Sequence, residues 1–287
     1  MKTRHVGDTP VSAIGLGGVH WSITDHLDVD QSIRTIHAAL DAGIRLIDTA
    51  RAYTTLVDES HNEDVVARAL AGHPLRDEVL VATKGGHFRA GPSDFPVDGR
   101  PRTLRAHCEA SLRHLRVERI GLYQLHHPDP STPIEESMQT LVELQQEGKI
   151  RMIGVSNVNA QQLRAAQSVG AIVSVQNEFS PHKTDDSPMV AECDRTGVTY
   201  LAYSPLGGSS RSGSLGELSP ALAAAADNRK VSVQRIALAW MLALSPTIIP
   251  IVGTRRAESA VDSAAATELD LGRAEFAAID AELSSRR

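Results

Sequence analysis

The sequence predicts one (β/α)8 barrel spanning residues 1–287, and three observations carry that expectation. Eight short β-rich runs alternate with amphipathic helical runs, the signature of a parallel sheet covered by helices. The length of 287 residues is a little above the ~250 typical of such barrels, and fits one large domain. Nearly every strand-like run ends on a polar residue, which a closed barrel would gather on one rim.

The strand-like runs are 14–17, 45–48, 79–84, 120–126, 152–156, 172–176, 199–204 and 248–251. Helical spacing marks 31–42, 61–71, 103–115, 134–147, 160–169, 189–195 and 233–244. In the first helix Ile33, Ile36, Leu40 and Ile44 recur at three- and four-residue steps, which places them on one face. Gly43, Gly148, Gly170 and Gly197 follow helical runs and are expected as left-handed C′ residues. Residues 4–11, with Gly7-Asp8 at the turn, are expected to form a hairpin that plugs the barrel bottom, and a last helix near 275–283 should pack outside. Alternation alone does not distinguish a closed barrel from an open doubly wound sheet.

Two connections exceed the usual few residues: 85–101 after the third strand and 205–220 after the seventh. Both follow strand C-terminal ends, where barrel enzymes build their sites. Composition narrows the function classes. Hydrophobic residues make up 41% and charged residues 22%, the balance of a soluble globular protein. A net charge of −6 argues against nucleic acid or an anionic membrane as the main partner. No run approaches the ~20 apolar residues that cross a bilayer, and the opening residues lack the apolar core of a signal peptide. Two cysteines, Cys108 and Cys193, cannot build a disulfide framework or a four-cysteine zinc site. A cytoplasmic enzyme acting on a small molecule is the expectation, with no metal.

The strand ends carry Asp48, Lys84, His126, Ser156-Asn157, Gln176 and Tyr203-Ser204. Taken singly each is ordinary: a helix cap, a solvated charge, a satisfied core histidine. Together, in order and on one rim, they resemble the aldo-keto reductase superfamily over essentially the whole chain. Asp48-Thr49-Ala50-Arg51-Ala52-Tyr53 matches the family's D-T-A-x-x-Y, and Val81-Ala82-Thr83-Lys84 matches its lysine strand. Residues 122–129 (LYQLHHPD) match its histidine strand, and residues 149–157 (KIRMIGVSN) are among its most diagnostic runs. Residues 175–179 (VQNEF) and 202–207 (AYSPLG) complete six motifs in sequence.

The resemblance implies reduction of an aldehyde or ketone, with hydride from nicotinamide and a proton from Tyr53. A phenol of pKa ~10 is a poor acid near neutrality unless its anion is stabilised. Lys84 is expected to lower that pKa, with Asp48 holding Lys84 charged and aimed. Tyr53 is then the general acid in reduction and the general base in oxidation. His126 is expected to orient the substrate carbonyl, while His127, next on a continuing strand, should face the other way.

The same resemblance assigns a cofactor, NADPH, with NADH as the alternative. It implies that Ser156, Asn157 and Gln176 hydrogen-bond the nicotinamide carboxamide and that Tyr203 stacks on the ring. Ser204, Leu206 and Gly207, in the Gly/Ser-rich run, are expected along the pyrophosphate. Gly253, Thr254 and Arg255 follow the last strand and open a helix, a setting that suits a 2′-phosphate. Here the sequence departs from the family pattern: Ser259 stands where an arginine is common, and the lysine near the strand end is missing. Gly15-Leu16-Gly17-Gly18 is a strand end and not a Rossmann loop.

Trp21 and Phe88 are the expected substrate contacts, with Phe95 and Phe179 also in loops near the pocket, and specificity is expected to rest on 85–101. Two other readings were weighed. One is a reductase-like regulatory subunit that binds nicotinamide with little turnover, against which the intact Asp48, Tyr53, Lys84 and His126 set speaks. The other is a metal-dependent hydrolase using His126, His127 and Asp129, disfavoured because adjacent strand residues face opposite ways. The sequence does not define an oligomeric state.

Overall fold

In a computed structural model, described here for residues 1–208 and 210–284, eight parallel strands close into a barrel. A hairpin of β1 (Thr3–Val6) and β2 (Thr9–Ser12) precedes them, turning at Gly7 with a positive φ of 57°. The barrel strands are β3 (Gly15–Gly17), β4 (Leu46–Asp48), β5 (Leu80–Gly85), β6 (Ile120–Leu125), β7 (Ile150–Ser156), β8 (Ile172–Glu178), β9 (Thr199–Tyr203) and β10 (Ile248–Gly253). Each pairs with its sequence neighbour, and β10 returns to β3 to close the ring.

Helices α1 (Val29–Asp41), α2 (His61–Leu70), α3 (Pro101–Leu115), α4 (Ile134–Gln146), α5 (Ala160–Val169) and α6 (Ser187–Thr196) each link consecutive strands. The last crossover holds α7 (Leu215–Leu218), α8 (Pro220–Arg229) and α9 (Val233–Leu244), and α10 (Ala257–Ala264) follows β10. The final helix, α11 (Arg273–Ser284), contacts α8 and α9 on the outside. The expected barrel, hairpin and terminal helix are all present. Helix α8 was not expected: its four consecutive alanines leave no apolar stripe to read. Its start is nevertheless well defined, with the Ser219 hydroxyl accepting from the Leu222 amide and Pro220 in the first turn.

The glycine rule holds for Gly43, Gly148 and Gly197, all at positive φ, but not for Gly170. Gly170 is extended (φ −160°), and what it provides is space: a Cβ there would lie 2.6 Å from Val142 Cγ2.

Two apolar layers follow from strand periodicity. Ile47, Tyr123, Ile153, Val175 and Tyr200 face outward into the large cluster beneath the helices. Leu46, Leu80, Ala82, Leu122, Leu201 and Ile249 face inward, and Val6 and Val11 of the hairpin cover them from below. Two residues further along their strands, the same inward face carries Asp48, Lys84 and Gln124. The barrel interior is thus apolar at its floor and polar at its C-terminal rim.

Candidate active site

Strands β4 and β5 bring Asp48 and Lys84 together inside the rim. Lys84 is fully buried, and its Nζ lies 2.6 Å from Asp48 Oδ2, 3.0 Å from the Thr49 carbonyl and 3.4 Å from the Tyr53 hydroxyl. Asp48 Oδ1 accepts from Gln176 Nε2 at 2.8 Å and from Gln124 Nε2 at 3.5 Å. Every oxygen of the carboxylate therefore has a donor, which a buried charge requires. Burial alone would depress the Lys84 ammonium, but Asp48 and Tyr53 hold it above its usual value.

Tyr53 sits on the turn after β4, over Lys84 and edge-on to His126, with ring centroids 5.9 Å apart. Its net pKa differs from the expectation. Burial pushes the phenol up, and Lys84 pulls it back only in part. Burial thus favours the protonated phenol, and the Lys84 charge offsets part of the cost of ionising it.

Behind this set lies a polar layer that sequence reasoning missed. Asn62 and Glu63, both buried on the first turn of α2, receive hydrogen bonds from Thr49 Oγ1 (2.6 Å) and Thr83 Oγ1 (2.8 Å). Asn62 Nδ2 in turn reaches the Gly18 carbonyl and Ser22 Oγ, both at 2.8 Å. These polar groups sit on the buried face of an amphipathic helix, and that placement was the available signal.

His126 is 7% exposed and its pKa is well below normal, because of burial first and then Lys84. His127 does not face away. Strand β6 ends at Leu125, so the alternation lapses, and the two rings stack with centroids 5.2 Å apart. Asp129 is separate from them, accepting from Gly99, Ser131 and Thr132.

Ser156, Asn157 and Tyr203 form one linked group. Ser156 Oγ donates to the Gln176 carbonyl at 2.7 Å, Asn157 Nδ2 donates to the His126 carbonyl at 3.0 Å, and the Tyr203 hydroxyl donates to Asn157 Oδ1 at 2.9 Å. One N–H of the Gln176 amide is held by Asp48, and the side chain also lines the inner cavity beside Asn157. Ser204 and Asn157 both hold a left-handed backbone, with φ of 50° and 58°.

A cleft of about 1220 Å³ runs from Asp48 and Tyr53 past Tyr203, Ser204 and Leu206 to Gly253, Thr254, Arg255 and Arg256. Gly207 lies at its edge, where a Cβ would come within 2.5 Å of His182 Cδ2. Ser259 also lines this far end, and Arg255 Nη1 donates to Thr24 Oγ1 at 2.8 Å. A second cavity, of about 160 Å³, lies between Tyr53, His126, His127, Asn157 and Tyr203.

The two expected substrate aromatics line neither space. Trp21 is 1% exposed in the core, its indole donating to the Thr254 carbonyl at 3.0 Å, and Phe88 packs edge-on against His107 of α3. Phe179 is likewise buried, stacked on Trp240. The 85–101 connection instead folds back on itself, bridging His87 to Val97, and presents His87 to the rim and Arg89 to the cleft.

A (β/α)8 barrel with a carboxylate, an ammonium and a phenol in hydrogen-bond sequence at its C-terminal rim defines a class of oxidoreductases. The chain belongs to the Aldo/keto reductase family, whose model matches residues 13–283. An uncharacterized oxidoreductase of Schizosaccharomyces pombe is 30% identical over 286 residues, 98% of this chain and 89% of that protein. Among solved structures, a glycerol dehydrogenase from Gluconobacter oxydans superposes with a TM-score of 0.84 at 30% identity, covering 99% of this chain and 95% of that one. An aldo/keto reductase from Klebsiella pneumoniae in complex with NADP and acetate gives 0.82 at 26% identity, covering 98% and 94%. Among the described residues, no helix is long and apolar enough to cross a membrane.

Proposed function

We propose that this protein reduces an aldehyde or ketone to an alcohol at Tyr53, using NADPH. The observation that carries the reading is the buried sequence Asp48–Lys84–Tyr53, with Lys84 Nζ between a carboxylate at 2.6 Å and a phenol at 3.4 Å. The large cleft fits a dinucleotide in size, with the Tyr53 phenol at one end and Arg255 and Arg256 at the other, and the amides of Asn157 and Gln176 line the smaller cavity beside Tyr53. An NADP complex of a structural relative supports that fit.

Tyr203, Asn157 and Ser156 would hold the nicotinamide end, and Ser204, Leu206 and Gly207 the pyrophosphate. Arg255 and Arg256, at the start of α10, would meet the 2′-phosphate. Nearby Asp262 does not oppose this, because Arg235 and Ser232 already engage it. When bound, nicotinamide supplies a hydride. The chain's own residues handle the proton. Tyr53 donates it to the carbonyl oxygen, and Lys84 stabilises the phenolate left behind. His126, kept neutral by burial, donates a hydrogen bond that orients the carbonyl.

Absorbance of NADPH and NADH followed against a panel of aldehydes, ketones and sugars tests the reading. Turnover with NADPH is expected. Failure of the purified protein to bind either cofactor would remove it.

A further inference from the structure

We propose that His87, His126 and His127 form a binding site for a borderline divalent metal ion such as zinc, at the closed end of the cleft. Each residue offers one ring nitrogen, and these atoms lie within 4.8 Å of one another. The His87 ring centroid is 4.7 Å from that of His126 and 4.7 Å from that of His127. Adjacent strands supply the three: His87 follows β5, and His126-His127 follows β6.

The hydrogen bonds leave lone pairs for a ligand. His87 Nε2 is 2.8 Å from the Phe95 carbonyl, which only accepts, so Nε2 carries the hydrogen and Nδ1 the lone pair. That Nδ1 is buried with no hydrogen-bond partner, and the same is true of Nδ1 in His126, a residue 93% withdrawn from solvent by its 7% exposure. A histidine whose far nitrogen donates to a backbone carbonyl is the arrangement that orients and strengthens a metal-binding imidazole. His127 Nε2 accepts from Asn157 Nδ2 at 3.1 Å, so its ring exchanges that bond or its tautomer on coordination.

The donor set selects the ion. Three imidazoles suit zinc, copper or nickel, whereas magnesium and calcium want oxygen, and Asp129 is engaged elsewhere. Zn–N bonds of 2.0–2.1 Å in tetrahedral geometry put ligand nitrogens about 3.3 Å apart, so the rings close by roughly an ångström. The adjoining cavity of about 160 Å³ has room for a water as fourth ligand. The ammonium of Lys84 does not stand alone against the cation, since Asp48 pairs with it at 2.6 Å. Metal on His126 Nδ1 would put its water ligand in the cavity beside Tyr53 that the carbonyl compound would enter, making zinc an inhibitor competitive with that compound. That consequence rests on the reductase reading; binding itself does not.

The test uses the full, untagged, cofactor-free chain titrated with Co²⁺ and followed by visible absorption, with Zn²⁺ then displacing the Co²⁺. One equivalent with the bands of a tetrahedral site is expected, and His87→Phe and His127→Phe should each weaken it by more than about tenfold, the least that loss of even a supporting partner costs. Absence of saturable one-to-one binding overturns the proposal, as does undiminished affinity in either folded variant. If His87→Phe does not fold, His87→Gln takes its place in the comparison. Tight binding without competition against the carbonyl substrate leaves the metal site standing and overturns the placement of the substrate in the cavity between Tyr53 and His126.

Discussion

Asp48 and Lys84 bury opposite charges 2.6 Å apart, with side chains 3% and 0% exposed. The pair is isolated from water but not from other donors, since Gln176 reaches the same carboxylate. Removing one partner leaves a buried charge uncompensated, at a cost of about 3–5 kcal/mol. Asp48→Asn should therefore lower the unfolding free energy by that amount, read as a lower denaturant midpoint at unchanged m-value. Adding Lys84→Met should restore part of it while activity stays lost. Equal stability of the single and double variants would show that the charges are not coupled.

Tyr53→Phe removes one oxygen and leaves the ring over Lys84. Loss of a general acid costs about 10²–10⁴ in rate. The drop should fall on kcat, with cofactor affinity unchanged in fluorescence titration. Full activity in this variant would exclude Tyr53 as proton donor.

Arg255 is exposed at the far end of the cleft, its guanidinium donating to Thr24 Oγ1 at 2.8 Å. A charge-assisted contact is worth about 1.5–3 kcal/mol, so Arg255→Ala should raise KM for NADPH by about 10–100-fold. KM for NADH should hardly move. A parallel loss for both cofactors would place Arg255 away from the 2′-phosphate.

Acid should loosen the root of the 85–101 connection through His107. Its Nδ1 accepts from the Gly86 amide at 3.1 Å, and burial lowers its pKa from 6.5 to about 4. The unfolded chain therefore binds this proton more readily than the folded one between those values. The His107 contribution is fully present above pH 6.5 and is lost as pH falls towards 4. His107→Asn keeps an acceptor near Nδ1 without titrating, so its Tm should fall less steeply across that window. Identical slopes would remove His107 from the acid response.

Inside the barrel, Gly154 faces Ser174 and Gln124. An added Cβ would lie 2.2 Å from Ser174 Oγ and 3.0 Å from Gln124 Cγ. Gly154→Ala should cost about 1–3 kcal/mol by overpacking, read as a lower Tm. An unchanged Tm would mean that β7 and β8 can part without penalty.

The alternation of runs made the barrel legible, because strand and helix periods differ and eight repeats leave few other arrangements. Asp48, Tyr53, Lys84 and His126 were legible because they fall, in order, in motifs that resemble those of the family, although each is ordinary taken singly. What depended on local geometry was not legible. His127 was placed by continuing a strand that stops at Leu125, and Trp21 was expected in the substrate pocket although it is buried in the core with its indole donating to the Thr254 carbonyl. The approach of His87 depended on how 85–101 folds back, which no periodicity encodes.

The hairpin beneath the barrel has a consequence for traffic. With Val6 and Val11 sealing the floor against Leu46, Leu80 and Met152, the barrel is a cup and not a tube. Whatever reaches Tyr53 enters through the mouth, and whatever leaves must back out the same way.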